Sequence, residues 1–437
     1  MRYFLDPFGC AKNQVDAEIM MAALNKAGWT AAGPDEADLI IVNSCGFIEK
    51  AKRESINAVL AWKKQYPNKK ILLSGCLSQR YRTELEESLT EADGFLGCNE
   101  LHQAAKKAAE LFDAKTKAPV KSSQSPITGL RPLLGFPGSA FVKISEGCNN
   151  GCSFCAIPLI RGPLRCRGIL DIVKECKQLL SRNIKELCLI GQDLASYAQL
   201  AALLEAIAVL PGDFWVRLLY LHPDHFPLDI LDIIAKDSRF LPYFDIPFQH
   251  ASKQILSAMG RSGSGKSYLA LLEKIRSRLP DAVIRSTFLV GFPGETKKDF
   301  SELLDFQKKA LFDWLGVFTF SREEGTAAFS MKGRVSKKIA RERKAIIEER
   351  QIPITEKRMS RFVGRTMDLL VEEKIDNAES SLWLGRVFCQ APEVDGATVI
   401  HALAAEPGTV RPDPVKPGDM IRGTIVARKG FDLEVRV

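Results

Sequence analysis

The chain has 437 residues, 46% of them hydrophobic and 26% charged, with a formal net charge of +8. That length exceeds one compact core and suits two or three domains, and the composition excludes disordered, collagen-like and coiled-coil classes. No apolar window reaches membrane-spanning length, since the richest, Leu200 to Leu210, is broken by Glu205.

At the start of the chain, Met1 to Pro7 has no apolar core of signal-peptide length, so the cytoplasm is the expected compartment. Residues 1–120 alternate short apolar runs with amphipathic stretches. Leu39 to Val42 and Ile71 to Leu73 read as buried parallel strands of an α/β domain. Residues 121–139 are rich in Ser, Pro and Gly and read as a linker. In 140–361, six strands are predicted, starting at Phe141, Leu187, Trp215, Tyr243, Ile284 and Leu315 and separated by helices. They describe a partial (β/α) barrel whose active site belongs at the strands' C-terminal ends. Residues 332–361 hold 11 Lys and Arg against 4 Glu, a net of +7. This stretch reads as an RNA contact or as a solvated helix face. Residues 362–437 hold 9 Lys and Arg against 12 Asp and Glu, a net of −3, in short alternating strands of a small β-barrel.

Eleven cysteines and only five histidines point to metal chemistry built on thiolate. Cys148, Cys152 and Cys155 form CxxxCxxC directly after the first barrel strand. Three thiolates on one loop can hold three irons of a four-iron cluster and leave the fourth open to a ligand. The small residues between them let backbone N–H groups donate to sulfur. A structural zinc site needs four closed ligands, and no fourth Cys or His lies in this loop, Cys166 being next downstream.

This spacing at a strand end resembles the radical S-adenosylmethionine superfamily. The resemblance implies that the open iron chelates S-adenosylmethionine and that the reduced cluster cleaves it to a 5′-deoxyadenosyl radical, which abstracts hydrogen from an unactivated carbon.

Cys10, Cys45 and Cys76 each sit beside a glycine at or near a strand end, where the loops of a parallel sheet converge. Taken alone, they read as a second cluster or as small buried hydrophobes. Their surroundings, Gly9 to Glu18, Val42 to Phe47 and Ser74 to Leu77, resemble the three cluster motifs of the methylthiotransferases, and the C-terminal barrel is similar to the TRAM domain. The resemblance therefore spans essentially the whole chain. Departures fall at Pro7-Phe8, Ala11, Gln14 and Gly97 to Glu100.

Lys143 to Asn149, Gln192-Asp193, Asp245 to Ser252 and Arg285 to Glu295 look most like the branch acting on a ribosomal protein of the small subunit, S twelve. The alternative is the branch that modifies tRNA adenosine. A net-negative terminal barrel suits a basic protein better than tRNA phosphates. The resemblance implies two 4Fe-4S clusters, S-adenosyl-L-methionine, methylthiolation of an aspartate β-carbon, and a flavodoxin- or ferredoxin-type electron donor.

Three further residues are candidates for cofactor binding. Arg161, just past the cluster loop, can pair with a carboxylate, or is a surface arginine. Gln249, beside His250, ends a barrel strand, and Glu295 follows the turn Gly291 to Gly294 where the adenosyl part is expected. Gly260 to Ser267 fits GxxxxGKS as a string, but a helical pattern precedes it where a phosphate loop needs a strand. Cys98, Cys166, Cys176, Cys188 and Cys389 read as packing residues.

Overall fold

A computed structural model describes residues 1–112, 130–375, 382–401 and 415–437. The linker expected at 121–139 lies outside the described residues up to 129. The first sheet is parallel throughout. It comprises β1 (Arg2–Pro7), β2 (Thr30–Ala31), β3 (Leu39–Ser44), β4 (Lys70–Gly75) and β5 (Gly94–Gly97) in the order β2-β1-β3-β4-β5. Helices cover both faces, so β3 is buried at every residue and reads as an unbroken apolar run apart from its last two positions.

The second sheet starts with β6 (Ser139–Lys143). After a short antiparallel ladder of β7 (Ser145–Glu146) and β8 (Arg165–Cys166) come β9 (Glu186–Ile190), β10 (Trp215–Leu218), β11 (Phe240–Asp245), β12 (Val283–Val290) and β13 (Trp314–Thr319). Six parallel strands in the order β13-β12-β11-β10-β9-β6 make the partial barrel read from the sequence. β10 ends earlier than its apolar run because Tyr220 takes a left-handed φ of 70°. The terminal strands β14 (Thr366–Ile375), β15 (Leu382–Val387), β16 (Thr398–His401), β17 (Met420–Lys429) and β18 (Asp432–Arg436) form a closed barrel.

Alternation along the six strands divides their side chains between two cores. Val142, Leu187, Leu189, Val216 and Phe244 pack under the surrounding helices. Phe141, Cys188, Ile190, Trp215 and Tyr243 face inward, against Ala11 and Val15 of the helix Ala11–Lys26 and against Leu369, Leu370 and Val387 of the terminal barrel. The open barrel is thus plugged from two sides by the flanking domains. Cys176, Cys188 and Cys389 are packing residues in these cores, whereas Cys166 is exposed on β8. The GxxxxGKS string joins the helices Lys253–Ala258 and Gly265–Arg278, and Ser264 closes a capping box with Ser267.

One buried charge network fastens the terminal barrel. Glu186, at the start of β9, accepts from Arg217 Nε and Arg386 Nη2, each at 2.7 Å, and from Ser139 Oγ at 2.9 Å. Burial works against its charge, but Arg386 and Arg217 hold the Glu186 carboxyl down at about 2, below its ordinary 4.5. A depressed carboxylate contributes stability above its unfolded pKa and loses it as pH falls through the folded one. This contribution therefore fades between about pH 4.5 and pH 2. Glu186→Gln leaves the buried Arg217 without its ion-pair partner and Arg386 with Glu372 alone, and is expected to cost about 3–5 kcal/mol in urea unfolding at pH 7. A loss under about 1 kcal/mol, the range of an exposed pair, contradicts the fastening role.

Candidate active site between two cysteine loops

The CxxxCxxC loop follows β6 and β7 at the C-terminal edge of the second sheet. Gly147 begins it at φ 78°, where a Cβ would lie 2.1 Å from the Pro163 carbonyl oxygen. Asn150 N–H donates to Cys148 Sγ at 3.4 Å and Ile157 N–H to Cys155 Sγ at 3.5 Å, the backbone-to-sulfur bonds anticipated from the sequence. Asn150 Nδ2 donates to Asp193 Oδ2 at 2.9 Å, and Ser153 is bonded to the carbonyls of Met259 and Ala258. Gly260, inside the phosphate-loop string, presses on Gly151 so closely that a Cβ there would meet its carbonyl oxygen at 2.3 Å. That stretch braces the cysteine loop.

The second trio stands at the C-terminal ends of three neighbouring strands, Cys10 after β1, Cys45 after β3 and Cys76 after β4. Asn13, on the helix after Cys10, knits these loops together. Its Nδ2 donates to the carbonyls of Phe8 at 3.1 Å and Ser44 at 2.9 Å, and its Oδ1 accepts from Cys76 Sγ at 3.2 Å. A Cβ on Gly9 would lie 2.7 Å from that Asn13 nitrogen and 3.3 Å from the Cys45 Cβ. Cys98 ends the next strand, β5, and is buried with Cys76, Ala156 and Ile160. It is the fourth thiol of this sheet edge.

Arg161 joins the two loops. It ends the helix Ile157–Arg161, six residues beyond Cys155, and is fully buried. Its Nη2 donates to Cys76 Sγ at 3.0 Å and to Asn13 Oδ1 at 2.7 Å. Its Nη1 pairs with Asp16 Oδ2 at 2.6 Å and with Glu146 Oε1 at 3.2 Å. Lys143 also pairs with Asp16 and Glu146. Gln192 donates to Glu146 at 2.7 Å. Arg161 thus ties the segment that follows the CxxxCxxC loop to the Cys76 loop of the first sheet.

Lys12 enters that mouth from the Cys10 loop, nine-tenths buried, with its ammonium 3.3 Å from the Tyr220 ring centroid. Gln249, at φ 66°, bonds through its backbone to Thr287 and Leu289. Glu295 is buried and braces its own turn, accepting from the amides of Gly291 and Phe292 and pairing with Arg343 at 2.8 Å. His250 lies 4.0 Å from it and accepts from the Ser252 amide, as a wall residue does. Asn13, Asp16 and Lys12 had no role assigned from the sequence. The signal was present as three polar side chains on the first turns of a helix that is buried on nearly every side.

Burial pushes the Cys45 and Cys155 thiols up to about 12 and also raises Cys148. Cys76 goes the other way, to about 6, because the Cys98 thiol and then the Arg161 guanidinium stabilise its thiolate. Among the described residues no three Cys, His, Asp or Glu side chains are close enough to chelate a single ion. Zinc thiolates sit about 2.3 Å from one metal, whereas the ligands of a four-iron cluster stand on separate irons and lie further apart. Two all-thiol trios on loops with sulfur-directed amides fit clusters.

Residues 2–97 match Uncharacterized protein family UPF0004, residues 142–306 the Radical SAM superfamily, and residues 363–437 the TRAM domain. The ribosomal protein uS12 methylthiotransferase RimO of Treponema denticola is 47% identical over 98% of this chain and 99% of its own. That of Aquifex aeolicus is 38% identical over 98% and 95%. Among solved structures, the radical S-adenosylmethionine methyltransferase TsrM from Kitasatospora setae aligns with a TM-score of 0.58 at 15% identity. It covers 87% of this chain and 79% of that one, a likeness of fold.

Removing Arg161 strands Asp16 and Glu146 against Lys143 alone. Arg161→Met is expected to cost about 3–5 kcal/mol in thermal or urea unfolding. An unchanged stability contradicts its place as the joint between the loops.

Proposed function

The chain belongs to the ribosomal protein uS12 methylthiotransferase family, and from that premise we propose that it replaces a hydrogen on the β-carbon of an aspartate of uS12 with a methylthio group. It is a radical S-adenosylmethionine enzyme in which Cys148, Cys152 and Cys155 hold one 4Fe-4S cluster and Cys10, Cys45 and Cys76 hold a second. The observation that supports this reading is the Arg161 to Cys76 contact of 3.0 Å, made by a residue six positions beyond Cys155. Work divides along the chain between residues 1–120, 140–361 and 362–437.

When bound, the clusters and S-adenosylmethionine supply a 5′-deoxyadenosyl radical and a methylated sulfur. The chain supplies position. The amides of Asn150 and Ile157 aim the Cys148 and Cys155 sulfurs, and Asn13 with Arg161 fixes Cys76. Gln249 and the turn ending in Glu295 would hold the adenosyl part. Lys12 bears a buried ammonium with no ion pair among the described residues, and a carboxylate entering between the trios meets it. An aspartate brings such a group and an adenosine does not, which favours uS12 over tRNA. No helix of the described residues is long and apolar enough to cross a membrane. We place the enzyme in the cytoplasm with its ribosomal substrate, reduced by a flavodoxin or ferredoxin.

Offered uS12 and tRNA in parallel, the enzyme is expected to add the methylthio mass to uS12 alone. Lys12→Met should weaken uS12 binding by about 1.5–3 kcal/mol while 5′-deoxyadenosine is still released. Methylthioadenosine in the tRNA overturns the substrate assignment. Anaerobic iron and sulfide counting on a Cys10/Cys45/Cys76→Ala variant should show about half the wild-type content with S-adenosylmethionine cleavage retained. Full retention or complete loss of iron contradicts two independent clusters.

A further inference from the structure

A cleft of about 910 Å³ adjoins the candidate active site and shares Gly291 and Pro293 with the turn where the adenosyl part is expected. One wall is the helix Glu49–Gln65, and its inner end is Ile48, three residues beyond Cys45. The opposite wall is the start of the basic helix Lys337–Ser360 with the segment before it, and the floor is the end of β13. Segments nearly 300 residues apart in sequence bring their cations to this one place. Lys50 and Arg53 project from the first wall, and Arg334, Lys337, Arg341 and Lys344 from the second, with Arg322 at the rim. Only Glu49 and Glu54 oppose them among the lining residues, so this cleft carries most of the chain's net charge of +8.

Two features separate it from an ordinary solvated face. Glu49 and Glu54 are taken up by Arg53, Lys52 and Lys50, whereas Arg334, Lys337 and Arg341 have no ion pair or side-chain hydrogen bond among the described residues. The floor is aromatic as well. Phe318 is 53% exposed, Phe320 lies beside it, and Phe329 is capped by the Arg322 guanidinium at 3.8 Å. Cations spaced along a groove beside the exposed Phe318 ring are what a single nucleic-acid strand requires, phosphates on the walls and a base stacked on the ring. The terminal segment 362–437 is by contrast net negative.

We propose that this cleft binds single-stranded RNA. A ribosomal protein is met against ribosomal RNA, and a strand held at Ile48 lies next to the Cys45 loop, so the cleft grips the RNA flank of a substrate whose reacting residue sits between the trios. The binding claim stands apart from the substrate assignment, since it needs neither catalysis nor uS12.

The test is fluorescence anisotropy of a labelled oligouridylate of about 12 nucleotides, titrated with the full-length, cluster-loaded protein between about 50 and 200 mM salt. Three proteins are compared: wild type, Arg334→Glu/Lys337→Glu/Arg341→Glu, and Lys174→Glu/Lys236→Glu/Lys274→Glu, which makes the same charge change on exposed positions of other helices. Equal melting temperatures verify folding. The cleft variant is expected to lose roughly tenfold or more in affinity and to flatten the slope of log K against log salt by about 2, with the control close to wild type. Equal weakening of both variants, no binding by wild type, or tighter binding of a polyglutamate peptide than of the oligouridylate overturns the proposal.

Discussion

A buried guanidinium between two domains is the constraint on which this molecule depends. Arg161 has lost its water and must be matched by acceptors at fixed positions, and it finds them on both sides: Glu146 from its own domain, and Asp16, Asn13 and Cys76 from the other. None of these groups can shift far without stranding a charge in a dry interface. The domain docking is therefore specified to side-chain precision where the segment after the CxxxCxxC loop meets the Cys76 loop.

From that joint the rest follows. The helix carrying Asn13 and Asp16 must lie against the concave face of the six-stranded sheet, and so it presents Ala11 and Val15 to the same inner core that the terminal barrel closes from below. The lumen is filled from two sides, and Lys12 lies over the Tyr220 ring just beyond the end of β10. Separation of tasks is then a matter of placement. One trio is wrapped by amides from its own loop, and the other is knitted by Asn13 across three strand ends.

Local signals in the sequence carried the reading a long way, and it stopped where contacts became long-range. CxxxCxxC after an apolar run, and three Gly-Cys or Cys-Gly pairs at strand ends, marked both loops because a chain turning sharply around sulfur needs small neighbours. The six barrel strands were visible as apolar runs, and the helical pattern before Gly260 dismissed the phosphate-loop string. Arg161 was seen as a candidate, but its partners lie about 145 residues away at Asn13 and Asp16, and no periodicity encodes such a pairing. Cys98 reads as a packing residue and is buried as one, but its place beside Cys76 depends on the pairing of β5 with β4, and the four residues of β5 are too few for a strand signal. The basic stretch at 332–361 was ambiguous for the same reason, since its facing wall comes from residues near 50.

The claim that two inorganic centres look onto one cavity is tested most directly by their magnetism. In the doubly reduced protein the account predicts an electron paramagnetic resonance spectrum broadened by spin coupling, which collapses to a single unbroadened signal in the Cys10/Cys45/Cys76→Ala variant. A wild-type spectrum that is the plain sum of two independent signals would contradict it.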